Sequence, residues 1–140
     1  MDVIHREAIG RPADEVFAFV ADFANNPRWQ GGMERCTWDG DARGVGATYR
    51  QEARFLGRSI LTTFRVTAVE PGRSISIESL QSTFPIQVTR RVESTDDGCV
   101  VIAHVRGQPT GLLKLMSGLA ARSIRKDYAA LKALLEAPLT

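Results

Sequence analysis

The chain has 140 residues, of which 44% are apolar and 24% charged, and a formal net charge of +2. That balance excludes a disordered or fibrous chain, and the charge is too small to imply a nucleic-acid partner. No apolar run approaches the roughly 20 residues that a membrane-spanning helix needs, so residues 1–140 are expected to form one domain with a real core.

The start, Met1 to Glu7, is charged and lacks the apolar centre of a secretion signal, which makes a cytoplasmic location the expectation. Met1 to Ile9 reads as a strand with Val3, His5, Glu7 and Ile9 on one side. Gly10-Arg11-Pro12 turns the chain. Pro12 suits the first position of a helix, and Asp14 and Glu15 suit its first turn. Val16, Phe17, Phe19 and Val20 supply the buried stripe, and Asp22 and Phe23 end it. Asn25 to Trp29 reads as a second short helix or a turn, with Trp29 anchoring it on a sheet or lining a cavity.

After Gly31-Gly32 the pattern changes to period two. Met33–Trp38, Ala47–Phe55 and Ile60–Val69 read as strands, joined by a glycine-rich stretch from Asp39 to Gly46 and by Leu56-Gly57-Arg58. Pro71-Gly72 turns into a strand marked by Ile75 and Ile77. Phe84–Ser94 and Cys99–Arg106 follow, joined by an Asp96-Asp97-Gly98 hairpin. Short links between six successive strands imply an antiparallel meander.

The last element is a helix from Leu112 to Glu136, about 37 Å long at 1.5 Å per residue. Leu113, Met116, Ala120, Ile124, Leu131 and Leu135 form its apolar stripe. Thr110 can cap its start and Pro138 stops it. Gly118 reads either as a close-packing position or as a flex point.

This order resembles the helix-grip fold of the START-like or Bet v 1-like superfamily, and within it the polyketide cyclase/dehydrase and lipid-transport branch. Carrying the likeness are Pro12-Ala13-Asp14-Glu15-Val16-Phe17, Val20-Ala21-Asp22, Asn26-Pro27-Arg28-Trp29, Gly44-Val45-Gly46-Ala47-Thr48-Tyr49 and the terminal helix. The resemblance implies an α+β fold in which a curved antiparallel sheet of about seven strands wraps a long C-terminal helix, in the order β-α-α-β6-α. It also implies a cavity between sheet and helix for a small hydrophobic ligand.

Alternation assigns Trp38, Tyr49, Gln51, Phe64, Ile77, Val88 and Arg90 to the inner face. Met116, Ala120 and Ile124 close it from the helix. These ten are the expected ligand-binding residues. Tyr49 and Gln51 share a face and can orient a carbonyl or hydroxyl. Arg90 interrupts an apolar series: it binds a ligand carboxylate, or a bulge or sheet rim lets it reach water. Two readings of the last strand stay open. Either Cys99, Val101, Ala103 and Val105 face inward, or Val100, Ile102, His104 and Arg106 do, and only the second gives His104 an acid-base role.

Cys36 and Cys99 match no zinc or redox spacing and read as small buried residues. Gly44-Val45-Gly46 precedes a strand and lacks a third glycine, so it is no dinucleotide fingerprint. Arg35, Arg50, Arg54 and Arg65 share an outer face with Glu52 and read as a solvated, partly paired surface. No cofactor or metal is expected, and the chain is expected to be a monomer or homodimer. The expected function is binding of a lipid, polyketide-like or aromatic metabolite. The alternatives are a cyclase-type enzyme using Tyr49, Arg90 or His104, and an interaction module with a filled core.

Overall fold

The computed structural model describes residues 1–55, 57–80, 85–107 and 117–138. Strands β1 (Asp2–Ile9), β2 (Met33–Trp38), β3 (Thr48–Phe55), β4 (Arg58–Glu70), β5 (Ser74–Leu80), β6 (Ile86–Thr95) and β7 (Gly98–Gly107) form a single sheet in the order β1-β7-β6-β5-β4-β3-β2. Every neighbouring pair is antiparallel. The meander from β2 to β7 therefore follows sequence order, and β1 closes its far side. Helix α1 (Ala13–Val20) and a 3-10 helix (Phe23–Arg28) follow β1, and α2 (Ser117–Glu136) ends the chain. This is the α+β helix-grip architecture expected from the order of elements.

Local chemistry accounts for the boundaries. Pro12 is the N-cap rather than the first helical residue, so α1 begins one position later than expected. Asp22 caps the 3-10 helix by accepting the Ala24 amide. The β6–β7 hairpin turns through Asp96 and Asp97, with Thr95 paired to Gly98. In β4 the register slips between Val66 and Ala68, so Thr67 is an extra residue. Strict alternation places Ala68 on the inner face. After the bulge Ala68 is exposed and Val69, paired with Ile75, turns inward.

Two apolar clusters fill the concave side. Ile9, Val16, Val20, Trp29, Val92, Cys99, Val101, Ala103, Tyr128 and Leu131 form one. Phe23, Cys36, Ala47, Tyr49, Phe64, Val66, Ile75 and Ile77 form the other. Helix α2 buries Tyr128 and Leu131, half-buries Ala120, Ile124 and Leu135, and exposes Arg122, Arg125 and Ala129, which matches its predicted stripe. Its described sheet contacts run mainly along β1, while α1 lies on β6 and β7. Gly118 is exposed, and a Cβ there would meet nothing within 4 Å, so close packing does not explain it. Leu56, the break at 81–84, the Thr110 cap and the predicted first turns of the last helix, Met116 included, lie outside the described residues.

Candidate functional site

The pairing register lines up side chains in rows across the inner face. His5, Ala103, Arg90, Ile75 and Val69 form one row, and Val3, Val105, Val88, Ile77 and Val66 form the next. Trp38, Tyr49, Phe64 and Ser79 continue the face on the other half of the sheet. Seven of the ten expected ligand-binding residues thus lie on one concave surface. Ala120 and Ile124 are half-buried on α2, Ile124 against the first cluster.

Arg90 occupies the centre, with 3% of its surface exposed. The expected bulge at Arg90-Arg91 does not exist. Both residues are in continuous register on both sides, so the guanidinium stays inside. Its NH1 donates to the Val20 carbonyl at 2.7 Å and to Asn26 Oδ1 at 3.0 Å. Val20 ends α1, so this carbonyl lies at the negative end of the helix dipole, where a cation is favoured. The guanidinium carbon also sits 4.6 Å from the Phe23 ring centre and 4.9 Å from that of Trp29. Desolvated cation–π contacts of this kind contribute about 2 kcal/mol each. No Asp or Glu among the described residues pairs with Arg90.

Tyr49 is stacked between Phe23 and Phe64, at 4.8 and 5.3 Å between ring centres, with Trp38 edge-on at 5.4 Å. Burial pushes its hydroxyl pKa up, Arg90 opposes that, and the hydroxyl stays neutral. Gln51 lies on the same face and is half-buried. Trp38 donates its indole proton to Asp22 Oδ1 at 2.8 Å and carries Arg43 above its ring. Cys36, beside Asn26, has its pKa pushed up to about 11 by burial, against the Asn26 hydrogen bond and Arg90.

Of the two readings of the last strand, the geometry takes the first. Cys99, Val101 and Ala103 are buried, and His104 faces outward to Asp2 with Nε2–Oδ1 at 2.6 Å. His5 is on the inner face instead. It shares a 2.9 Å hydrogen bond with Glu7 and lies 5.6 Å from the Tyr128 ring. The outer arginines are paired: Arg35 with Glu52, Arg50 with Asp39, Arg54 with Glu34 and Arg65 with Glu78.

Exposure is graded along the inner face. Val92 and Arg90 are closed off, whereas Val88 and Ile86, further along β6, are half-buried. Gln51, Thr62 and Val105 are half-buried too, and Ile60 is 46% exposed. Two other concavities are lined by described residues. One, of about 500 Å³, lies between Gly10–Asp14 and the Ser94–Gly98 hairpin. The other, of about 250 Å³, lies on the outer face around Arg35, Arg50 and Leu61.

Reading the sequence alone missed the partners of Arg90. Phe23 and Asn26 belong to the 3-10 helix and Tyr128 to α2, and only the tertiary fold brings both segments to β6. Nothing in the sequence around Asn26 marks it as buried; the structure shows it 2% exposed.

The fold recurs among solved structures. Protein CV1439 from Chromobacterium violaceum matches with a TM-score of 0.79 at 17% identity, over 98% of this chain and 99% of that one. The Zhui aromatase/cyclase from Streptomyces sp. R1128 matches with 0.77 at 17% identity, over 97% and 93%. Ara h 8.0201 matches with 0.73 at 12% identity, over 96% and 97%. No curated protein sequence matches the chain. Identities this low speak for fold, not for substrate. The family model described as polyketide cyclase / dehydrase and lipid transport matches residues 2–136, and the chain belongs to that family.

Proposed function

We propose that residues 1–140 act as one domain that binds a small hydrophobic molecule, a lipid or a polyketide-like or aromatic metabolite, between the concave sheet face and the C-terminal helix. The observation that carries this reading is the graded exposure of the inner face. Described α2 packs mainly along β1, while Gln51, Thr62, Ile86, Val88 and Val105 remain half-buried on an apolar wall. A concave, mostly apolar surface with a few polar groups is the usual form of a small-molecule site. Trp38, Phe64 and Ile77 serve as wall, Gln51 as a polar contact, and Ala120 and Ile124 as the helix side.

The cyclase-type alternative relies on Tyr49, Arg90 or His104 to move protons. Tyr49 is held neutral by burial, Arg90 is bonded to Val20 and Asn26, and His104 points outward to Asp2. These placements favour binding over turnover. Titration of tryptophan fluorescence with a panel of fatty acids, sterols and polycyclic aromatics tests the reading, because Trp29 and Trp38 both belong to the concave side. A saturable change with at least one class is expected. A flat response across the panel, from protein with a native circular dichroism spectrum, contradicts it and favours a filled interaction module.

A further inference from the structure

Arg90 is unusual among the arginines of this chain. It is 3% exposed, whereas the ion-paired arginines lie at the surface. Its charge meets no carboxylate among the described residues, only one helix-terminal carbonyl, one amide oxygen, the neutral Tyr128 hydroxyl and two aromatic faces. Those contacts occupy the terminal nitrogens and the faces of the group. They leave its Nε–H edge unpartnered among the described residues. Trp29, 4% exposed and in contact with that guanidinium, has an unpartnered indole N–H as well. Two buried donors without acceptors on adjoining side chains, one carrying a full positive charge, are costly unless an acceptor reaches them.

We propose that the ligand of this domain is a carboxylic acid whose carboxylate docks on Arg90 and Trp29, with its apolar body lying along β6 past Val88 and Ile86. This rests on the proposed binding function and names the class of ligand. A neutral carbonyl would satisfy a donor but leave the charge uncompensated. A phosphate, often dianionic, would need a second cation, and none among the described residues lies beside Arg90. The carboxylate enters first because exposure rises from Arg90 outward to Ile86. The four residue steps from Arg90 to Ile86 span about 14 Å of strand, a length that suits a medium-chain acid or a fused-ring aromatic acid.

The test compares acids with neutral partners of the same body: decanoate against 1-decanol, and 2-naphthoate against 2-naphthylmethanol, by calorimetry at neutral pH. The acid of at least one pair is expected to bind at least about tenfold more tightly than its neutral partner, the range of a buried charge-assisted hydrogen bond. It should also shift the Trp29 indole N–H resonance, which the neutral partner leaves in place. Trp29→Phe keeps a ring over the guanidinium but removes the donor, and should lose about tenfold for the acid only. Equal affinity for acid and alcohol, or an unmoved Trp29 resonance at saturation, overturns the carboxylate while leaving hydrophobic binding intact. If no member of either pair binds and only neutral panel molecules do, the carboxylate again falls alone; if a panel fatty acid binds, the same preference of about tenfold over its matching alcohol decides. If nothing binds the folded protein, both readings fall. Should Trp29→Phe fail to fold, the resonance and the affinity ratio of the natural chain decide.

Discussion

Arg90 touches both apolar clusters, Phe23 of one and Trp29 of the other, and so joins two halves of the interior that Phe17 also bridges. Burying a guanidinium costs several kcal/mol unless its donors and charge are met. Asn26, 2% exposed, meets one donor and also hydrogen-bonds Cys36. Asn26→Ala is therefore expected to destabilise the fold by about 2–4 kcal/mol in urea unfolding; a loss below about 0.5 kcal/mol would show that Arg90 does not depend on it. Cys36 gives a second residue-scale prediction. With its pKa pushed up from 9.0 to about 11, the thiol stays protonated in the folded protein and shielded from reagents. Cys36 and Cys99, both buried, should resist a thiol reagent at mildly alkaline pH and react on unfolding. Rapid labelling of the native chain would contradict that burial. Little of this centre was legible in the sequence. Alternation put Arg90 on the inner face, but sequence spacing carries no sign that Val20, Phe23, Asn26 and Trp29 fold back over it.

The elements themselves were far more legible, because hydrophobic period and turn residues act locally. Met33–Trp38 has the predicted bounds, and other described strands differ by one to a few residues at their ends. The exceptions have tertiary causes. The Thr67 bulge re-aims Val69 inward, and no pattern of period two announces it. The His104 question was settled by pairing with β1, where Asp2 waits on the outer face. Two joints between elements can be tested. At Gly98, φ is 149° and a Cβ would press on the Ile9 carbonyl and come within 2.9 Å of Arg11 N. Neither neighbour is a flexible side chain, so Gly98→Ala should cost at least about 2 kcal/mol, and a near-native melting temperature would contradict the packing. At the other joint, Glu136 of α2 accepts the Gly10 amide and pairs with Lys132, whose ammonium also reaches the Ala8 carbonyl. The Gly10 and Lys132 hydrogen bonds hold the Glu136 pKa below its ordinary 4.5. A lowered carboxylate pKa stabilises the fold above the ordinary value, and that contribution is lost as pH falls through the folded value. Glu136→Gln should thus lower the melting temperature at neutral pH, and the difference should close below pH 4.5. A gap that persists in acid would assign the effect to something other than this charge.

At the scale of the whole molecule, room for a ligand depends on how completely one helix covers a bent sheet. The meander and terminal helix follow from the sequence pattern, since each strand has one apolar face to hide and the chain supplies a single long amphipathic helix to hide it. The extent of coverage does not follow from pattern, because it depends on where the helix axis falls. The described part of α2, Ser117–Glu136, falls toward β1, and Gln51, Thr62 and Val88 are half-buried. The most direct measurement is a map of backbone amide and methyl NMR shifts on saturation with the tightest-binding molecule of the panel. The account predicts that the large shifts fall on Gln51, Thr62, Val88, Val105 and the facing side of α2. Shifts confined to the groove between Gly10–Asp14 and the Ser94–Gly98 hairpin, or to the outer face around Arg35 and Leu61, would contradict it.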